Sequence, residues 1–179
     1  ATLINVPHLS KELEGAERPG HFDGVTSVVC RLFNICHPNV AVFGQKDYQQ
    51  FVILKRMVQD LHMPVQLIAC PTQRDESGLA LSSRNSYLDE AQRVTASVIS
   101  KALSAVTEMI EDGNRDYESL EQSAAEQISA AGLEPDYVSI RDAEDLRSPD
   151  DASLHLVALA AARFDKVRLI DNVLVELPT

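Results

Sequence analysis

The sequence predicts an α/β protein in which a segment with parallel strands is followed by a smaller α+β segment. Two observations support this prediction. Strand-like runs at 40–43 and 65–70 flank a helical pattern that begins at Asp47, and such a βαβ unit builds a parallel sheet with a right-handed crossover. Beyond residue 88, two helical patterns precede four short strand-like runs, an order typical of α+β domains.

The first helix is predicted from 22 to 36, where apolar residues recur at three- and four-residue spacing. This spacing places one set of side chains on a single buried face: Val25, Val28, Val29, Leu32, Phe33 and Cys36. The helix ends at His37, because the residue before a proline is pushed out of the helical region. The run 40–43 that follows is uniformly apolar, which is typical of a buried parallel strand.

The three cysteines show no pattern that would pair them or bind zinc, and we expect Cys30, Cys36 and Cys70 to be buried as small apolar side chains. The second helix begins at Asp47 and ends before Pro64, with its apolar stripe on Phe51, Leu54, Val58 and Leu61.

The polar stretch 71–88 lacks periodicity and predicts a long loop between two domains, at 1–72 and 73–179. Asp89 and Gln92 have the spacing of a capping box and predict the start of one long helix, which Gly113 ends. A further helix is predicted from 117 to 131, and strands are predicted at 137–140, 154–161, 167–170 and 173–177.

Composition excludes several classes of function. The 179 residues carry a formal net charge of −11, which argues against a nucleic-acid-binding protein, because such proteins depend on clustered Lys and Arg. The longest apolar run, 156–162, is far shorter than the ~18 residues of a membrane span, so we expect a cytoplasmic protein without membrane contact. No histidine spacing typical of a metal site, no Walker loop and no dinucleotide-binding glycine motif is present.

Three stretches could carry chemistry. Residues 44–47 (Gly-Gln-Lys-Asp) lie where a strand meets a helix, and the helix start and Lys46 would attract a phosphate. Alternatively, Asp47 is a helix cap that forms a capping box with Gln50. The other two stretches are 81–85 (Leu-Ser-Ser-Arg-Asn), which offers donors to phosphate oxygens or is a solvated linker, and 18–22, where His21 is either functional or an ordinary hydrogen-bonding residue.

Taken together, these stretches closely resemble the pantothenate synthetase (pantoate–beta-alanine ligase) family. The resemblance lies in 14–16 and 18–22 (Arg-Pro-Gly-His-Phe), in 40–50 and in 78–85, and it continues to Leu-Ile-Asp-Asn at 169–172. It implies a Rossmann-like nucleotidyltransferase domain followed by a smaller lid domain. It also implies an ATP- and Mg²⁺-dependent ligase of pantothenate and coenzyme A biosynthesis, which is a homodimer and joins pantoate to beta-alanine through a pantoyl adenylate.

The resemblance also implies roles for individual residues. Lys46, Ser82, Ser83 and Arg84 would be catalytic, Asp47 would face the ribose or the Mg²⁺ ion, and Gln50 would hold pantoate, with Arg18 and His21 as further candidates. The residues implied to contact ATP are Gly44, Gln45, Lys46, Asp47, Gln73, Leu81, Ser82, Ser83 and Arg84.

The sequence departs from the family pattern in two places. Leu81 stands where the family commonly has methionine, an apolar exchange of similar volume. The His-x-Gly-His motif of the family's first strand-to-helix turn is absent, and the chain opens with Ala1. We therefore expect a C-terminal portion of the enzyme that is inactive by itself. Two alternatives are a related ligase that adenylates another acid and a folded module without catalysis.

Overall fold

The computed structural model describes residues 2–177, and the chain separates into two units, of which the first ends at Pro71 and the second begins at Thr72. The division falls one residue before the predicted boundary, and the functions predicted for 1–72 and 73–179 remain predictions. The first unit contains α1 (Glu14–Glu17), α2 (His21–Cys36), β1 (Val40–Gly44), a 3₁₀ turn (Gln45–Asp47), α3 (Tyr48–Asp60) and β2 (Gln66–Cys70).

The two strands of the first unit are parallel, as the sequence predicts. Their register runs from Val40 opposite Gln66 to Gly44 opposite Cys70, and α3 connects them. The core lies between α2, α3 and one face of this sheet, with Ile53, Leu54 and Met57 almost completely buried.

The predicted buried face of α2 is wrong in part. The helix buries Phe22, Thr26, Cys30 and Phe33, whereas Val28 and Leu32 of the predicted face are 61% and 51% exposed. A polar residue takes part in the buried face: the single Thr26 hydroxyl proton lies between the Ile4 and Phe22 carbonyl oxygens, so a hydrogen-bonded threonine occupies a core position. The spacing of apolar residues does not predict that a threonine is buried.

The strands and cysteines are also more exposed than predicted. Val40, Val42 and Ile68 lie on the sheet face that no described helix covers, and they are 46%, 62% and 41% exposed. Cys30 is buried as expected, but Cys36 and Cys70 are exposed. Every second residue of β1 therefore faces away from the core, in place of the fully buried strand that its apolar run suggested.

A buried glutamine organises the segment that precedes α1. The Gln49 side chain, 3% exposed, accepts from the Glu14 backbone N–H at 3.0 Å and donates to the Leu9 and Glu12 carbonyl oxygens at 2.7 and 2.8 Å. Close packing limits the same segment, because a Cβ added at Gly15 would lie 2.2 Å from the Ser10 carbonyl oxygen.

The second unit is α+β, as predicted. It contains α4 (Glu90–Ala96), α5 (Val98–Glu111), α6 (Tyr117–Ala130), β3 (Glu134–Asp142), β4 (His155–Phe164) and β5 (Val167–Glu176). The strands form an antiparallel sheet in the order β3-β4-β5, with α5 packed against β4 and β5 and α6 against β3. The central strand supplies the buried run 156–162, of which Leu156, Ala158, Ala160 and Ala162 belong to the same core as the helices.

Two details of the second unit correct the sequence analysis. The capping box at Asp89 and Gln92 is confirmed, but the predicted long helix divides at Ser97, whose buried hydroxyl donates to the Val94 carbonyl oxygen at 2.7 Å. The predicted strands at 167–170 and 173–177 form the single strand β5, which continues through the buried polar pair Asp171 and Asn172.

We predict that Gln49→Ala destabilises the first unit by about 2 kcal/mol, since three hydrogen bonds to buried backbone groups are lost. Hydrogen exchange should show faster exchange of the Glu14 amide, which donates to the Gln49 side chain. The matched control is Gln50→Ala, because Gln50 is the half-buried neighbour on the same helix. Equal exchange at Glu14 in both variants would contradict the structural role of Gln49.

Candidate functional site

The first candidate group lies where β1 leads into α3. Gly44 is extended, residues Gln45–Asp47 form one 3₁₀ turn, and Lys46 is half-buried on that turn. Asp47 occupies the cap position of α3, but its side chain makes no capping hydrogen bond. The capping-box interpretation of Asp47 and Gln50 is therefore wrong, and the exposed Asp47 carboxylate is left at the carboxyl end of the strand.

His21 begins α2 and lies close enough to three charged side chains for their fields to act on it. Burial lowers the pKa of His21, the Arg18 guanidinium lowers it further, and the carboxylates of Glu14 and Asp47 oppose the shift. Of the predicted residues, Arg18, His21 and Asp47 are thus brought together within the first unit. The lowered pKa favours a neutral imidazole at pH 7, which can donate one hydrogen bond and accept another.

The second candidate group belongs to the segment 72–88, which is more ordered than the solvated linker that the sequence allowed. Asp75 makes a tight turn: its carboxylate accepts from the Ser77 hydroxyl and from the Ser77 and Leu79 backbone N–H groups. The Ser77 hydroxyl holds the pKa of that carboxyl below its usual value. Gly78 completes the turn at φ +93°, a conformation that favours glycine.

This turn returns the chain alongside itself. The Leu81 backbone N–H donates to the Gln73 carbonyl oxygen at 2.8 Å, so two residues predicted to contact ATP are neighbours. A bidentate ion pair fixes the turn to the sheet, because the Arg74 guanidinium binds both carboxylate oxygens of Asp171 at 2.6 and 3.0 Å. Asp171 lies within β5, and its side chain is only 4% exposed.

The three predicted phosphate donors follow this turn, at the start of a 3₁₀ helix (Ser83–Tyr87). The buried Asn85 holds them in place: its amide accepts from the Ser82 hydroxyl at 2.8 Å and donates to the Ala80 carbonyl oxygen at 3.1 Å. The Ser83 and Arg84 side chains are exposed, and Leu81 is 51% exposed. Ser82, Ser83 and Arg84 are therefore presented on one turn with a fixed backbone.

Sequence reasoning did not identify the residues that support these groups. Gln49, Arg74 and Asn85 are buried or half-buried side chains that bind backbone atoms or a distant carboxylate. The spacing of Asp75 and Ser77 is the one local signal that could have indicated an ordered turn, because aspartate commonly accepts from the residue two positions later. The other partners lie up to 97 residues apart in the chain.

The described residues offer one exposed carboxylate, that of Asp47, to a Mg²⁺ ion bound together with ATP. Among residues 2–177, no group of three or more histidine, cysteine and carboxylate side chains could hold a metal ion. Mg²⁺ is commonly bound through one or two carboxylates together with substrate phosphates and waters, so the exposed carboxylate of Asp47 is compatible with it. Within the described part of the chain, no helix is both long enough and apolar enough to cross a membrane.

The fold and these groups define a class. A parallel βαβ unit with a lysine after its first strand, followed by an α+β unit with an ordered Ser-Ser-Arg turn, belongs with the nucleotidyltransferase-type α/β proteins. Within that class, the model of the pantoate-beta-alanine ligase family matches residues 1–174, and the chain belongs to this family.

Individual relatives agree with the family match. The chain is 53% identical to pantothenate synthetase of Nitrosococcus oceani and 51% identical to that of Ectopseudomonas mendocina, over 98% of the chain and 62% of each relative. It therefore spans less than two thirds of the length of these curated relatives.

Solved structures give the same result. Pantothenate synthetase from Thermus thermophilus matches with a TM-score of 0.89 and 42% identity, over 97% of the chain and 63% of that protein. The pantoate-beta-alanine ligase from Francisella tularensis, complexed with beta-gamma ATP and beta-alanine, matches with a TM-score of 0.66 and 31% identity, over 97% of the chain and 58% of that protein.

We predict that Arg74→Ala destabilises the second unit by about 2–3 kcal/mol. Loss of one partner of a fully buried pair costs ~3–5 kcal/mol, and the partial exposure of Arg74 reduces this effect. Hydrogen exchange at 79–81 and in β5 should report the loss, and Arg74→Lys should restore part of it, since an ammonium group cannot bind both oxygens in the same way. Arg56→Ala, which breaks an exposed pair, should leave exchange in these segments unchanged.

We predict from the lowered pKa that His21 titrates below the ordinary value of about 6.5. The folded state then binds fewer protons than the unfolded state, so this residue's contribution to stability is complete above about pH 6.5 and is lost as the pH falls through the folded pKa. NMR titration should show a further decrease in Asp47→Asn and an increase in Arg18→Gln. A His21 pKa that neither variant changes would contradict the grouping of these three side chains.

Proposed function

We propose that the protein to which this chain belongs joins pantoate to beta-alanine with consumption of ATP. The observation that carries the proposal is the family match over 1–174, which includes both groups of predicted phosphate donors. The Francisella tularensis relative, complexed with beta-gamma ATP and beta-alanine, supports the choice of nucleotide and amine. In this proposal, 1–72 contributes nucleotide binding and 73–179 contributes a lid domain.

The reaction proceeds in two steps. A pantoate carboxylate oxygen attacks the α-phosphorus of ATP, the bond from that phosphorus to the bridging oxygen of pyrophosphate breaks, and pantoyl adenylate forms. The neutral amine of beta-alanine then attacks the acyl carbon, AMP leaves with the former carboxylate oxygen, and the nitrogen loses one proton. The products are pantothenate, AMP and pyrophosphate.

The chain's own residues stabilise the charge that develops in the first step. Lys46 contacts the phosphates, and Ser82, Ser83 and Arg84 contact the phosphate chain from the ordered 3₁₀ turn. Fixed donors of this kind are effective because they need no reorganisation as charge builds on the leaving pyrophosphate. Gly44, Gln45, Gln73 and Leu81 contribute nucleotide contacts from their backbone and flanking positions.

Gln50 holds pantoate from the first turn of α3, and the further donors are Arg18, which ends α1, and His21, the first residue of α2. A bound Mg²⁺ ion, held by Asp47 and the phosphates, would supply further neutralisation of charge. The proposal also includes a cytoplasmic location and a homodimer, both of which rest on the family resemblance.

We predict that Lys46→Ala in the complete protein lowers the rate of pantoyl adenylate formation by about 10²–10³-fold, the typical effect of removing one fixed donor to a developing charge. Single-turnover measurement of the adenylate separates this step from attack by beta-alanine. Lys55→Ala is the matched control, since Lys55 is exposed on the adjacent helix α3. An unchanged single-turnover rate for Lys46→Ala would refute the role of Lys46, and turnover of another acid in place of pantoate would refute the proposed substrate.

A further inference from the structure

The second unit contains a cleft that the proposed reaction does not explain. It has a volume of ≈ 810 Å³ and opens between the 3₁₀ helix (Ser83–Tyr87), the start of α4 and the turn that joins β4 to β5. Sites for small organic molecules commonly have volumes of about 300–1,000 Å³. We call it the hairpin cleft and define it by the residues that line it in these three places: 84, 87, 88, 92 and 164–168.

The interior of the hairpin cleft is apolar. Leu88, which is 4% exposed, forms part of its wall together with the half-buried Phe164 and Val167. At the rim, the Tyr87 ring is 76% exposed. Such a surface favours an apolar or aromatic group, because burial of that group removes apolar area from water on both partners.

Cationic side chains surround this apolar surface, and they differ in whether a carboxylate engages them. Arg168 donates to Asp136 at 2.6 Å and is therefore neutralised. Arg84 and Lys166 line the same cleft, and neither side chain makes a hydrogen bond or an ion pair with another residue of the described range 2–177. The chain has a net charge of −11, so two such cationic side chains beside one apolar cleft make the local charge differ in sign from that of the whole chain.

A carboxylate lines the cleft as well. Asp165 is the first residue of the two-residue turn between β4 and β5, where it has φ +53°, and its carboxylate accepts from the Gln92 amide at 3.5 Å. The backbone of this turn places Lys166 next to the apolar residues Phe164 and Val167. With Arg168 neutralised by Asp136, the two remaining cations outnumber this carboxylate among the described lining residues, so the cleft favours an anion.

We propose that the hairpin cleft binds an organic anion, with an aromatic or branched apolar body against Leu88 and Phe164 and a phosphate or carboxylate group between Arg84 and Lys166. Guanidinium and ammonium groups suit phosphate and carboxylate oxygens, and the apolar wall favours a ligand that carries an organic body over inorganic phosphate. Binding at this cleft goes beyond the proposed reaction, because it needs neither pantoate nor ATP. It shares Arg84 with the proposed phosphate turn, so its occupation and ATP binding oppose each other.

The test is calorimetric titration of the full chain with 1-naphthyl phosphate, in the absence of ATP and pantoate. We expect saturable binding that weakens as salt is added, and Lys166→Gln should reduce the affinity about tenfold, as expected for loss of one partly desolvated ion pair. Tyr87→Ala should also reduce it. Lys101→Gln is the matched control, because Lys101 is exposed on α5 and does not line the cleft.

Three comparisons identify the source of any binding. Neutral 1-naphthol should bind at least about tenfold more weakly than 1-naphthyl phosphate, since it cannot pair with the two cations, and equal affinity of the two compounds overturns the proposed anion site. Equal affinity of Lys166→Gln and Lys101→Gln for 1-naphthyl phosphate also overturns it. Binding that Ser83→Ala abolishes and Lys166→Gln does not change would overturn it too, because the anion would then belong to the phosphate turn alone. None of these outcomes depends on turnover, so the proposed reaction can fail or stand independently.

Discussion

The ion pair between Arg74 and Asp171 connects the turn 72–81 to strand β5 of the second unit. Asp171 lies in the middle of β5, and a carboxylate buried there without a partner would cost several kcal/mol. The Arg74 guanidinium satisfies both of its oxygens and also donates to the Gly78 carbonyl oxygen at 3.1 Å. One side chain thereby neutralises the buried carboxylate of β5 and ties the turn 72–81 to that strand. The predicted donors from Ser82 to Arg84 begin where that turn ends. The same ion pair therefore supports both the sheet and this part of the candidate site.

This dependence explains why the fold class could be predicted and some of its elements could not. The parallel βαβ unit, the α+β unit and the capping box at Asp89 could be predicted because they depend on the spacing of residues that are close in sequence. The division of β5 at Asp171 and Asn172 was predicted wrongly because a buried carboxylate inside a strand is tolerated only when another residue neutralises it, and here that residue is distant in sequence. Arg74 is 97 residues away, and no local pattern connects the two positions.

The same reasoning applies to α2 and to the candidate site. Thr26 is fully buried with backbone acceptors for its hydroxyl, so the buried face of α2 includes a polar residue that the apolar spacing does not indicate. At the start of α3, two adjacent glutamines differ in burial. Gln49 is buried and its side chain makes hydrogen bonds to three backbone groups, whereas Gln50 is half-buried. Residue type alone could indicate a polar site at this position. Only the packing of 9–14 against α3 shows that Gln49 supports the backbone and that Gln50 is the glutamine that remains accessible to a ligand.

Charge is the property in which overall composition and local structure differ most. A net charge of −11 opposes the approach of any phosphate, yet many of the basic side chains are engaged by carboxylates: Arg56 by Asp60, Arg74 by Asp171, and Arg163 and Arg168 by Asp136. The cations that remain available therefore determine where anions can bind. Arg84 stands at the point where the ordered turn meets the hairpin cleft, and it is presented to solvent by a backbone that Asn85 fixes. A guanidinium on a fixed backbone, with no carboxylate partner among residues 2–177, attracts anions from solution to one place in an acidic protein. Its surroundings then select among them, because hydroxyl donors on one side favour a phosphate chain and an apolar cleft on the other favours an organic body.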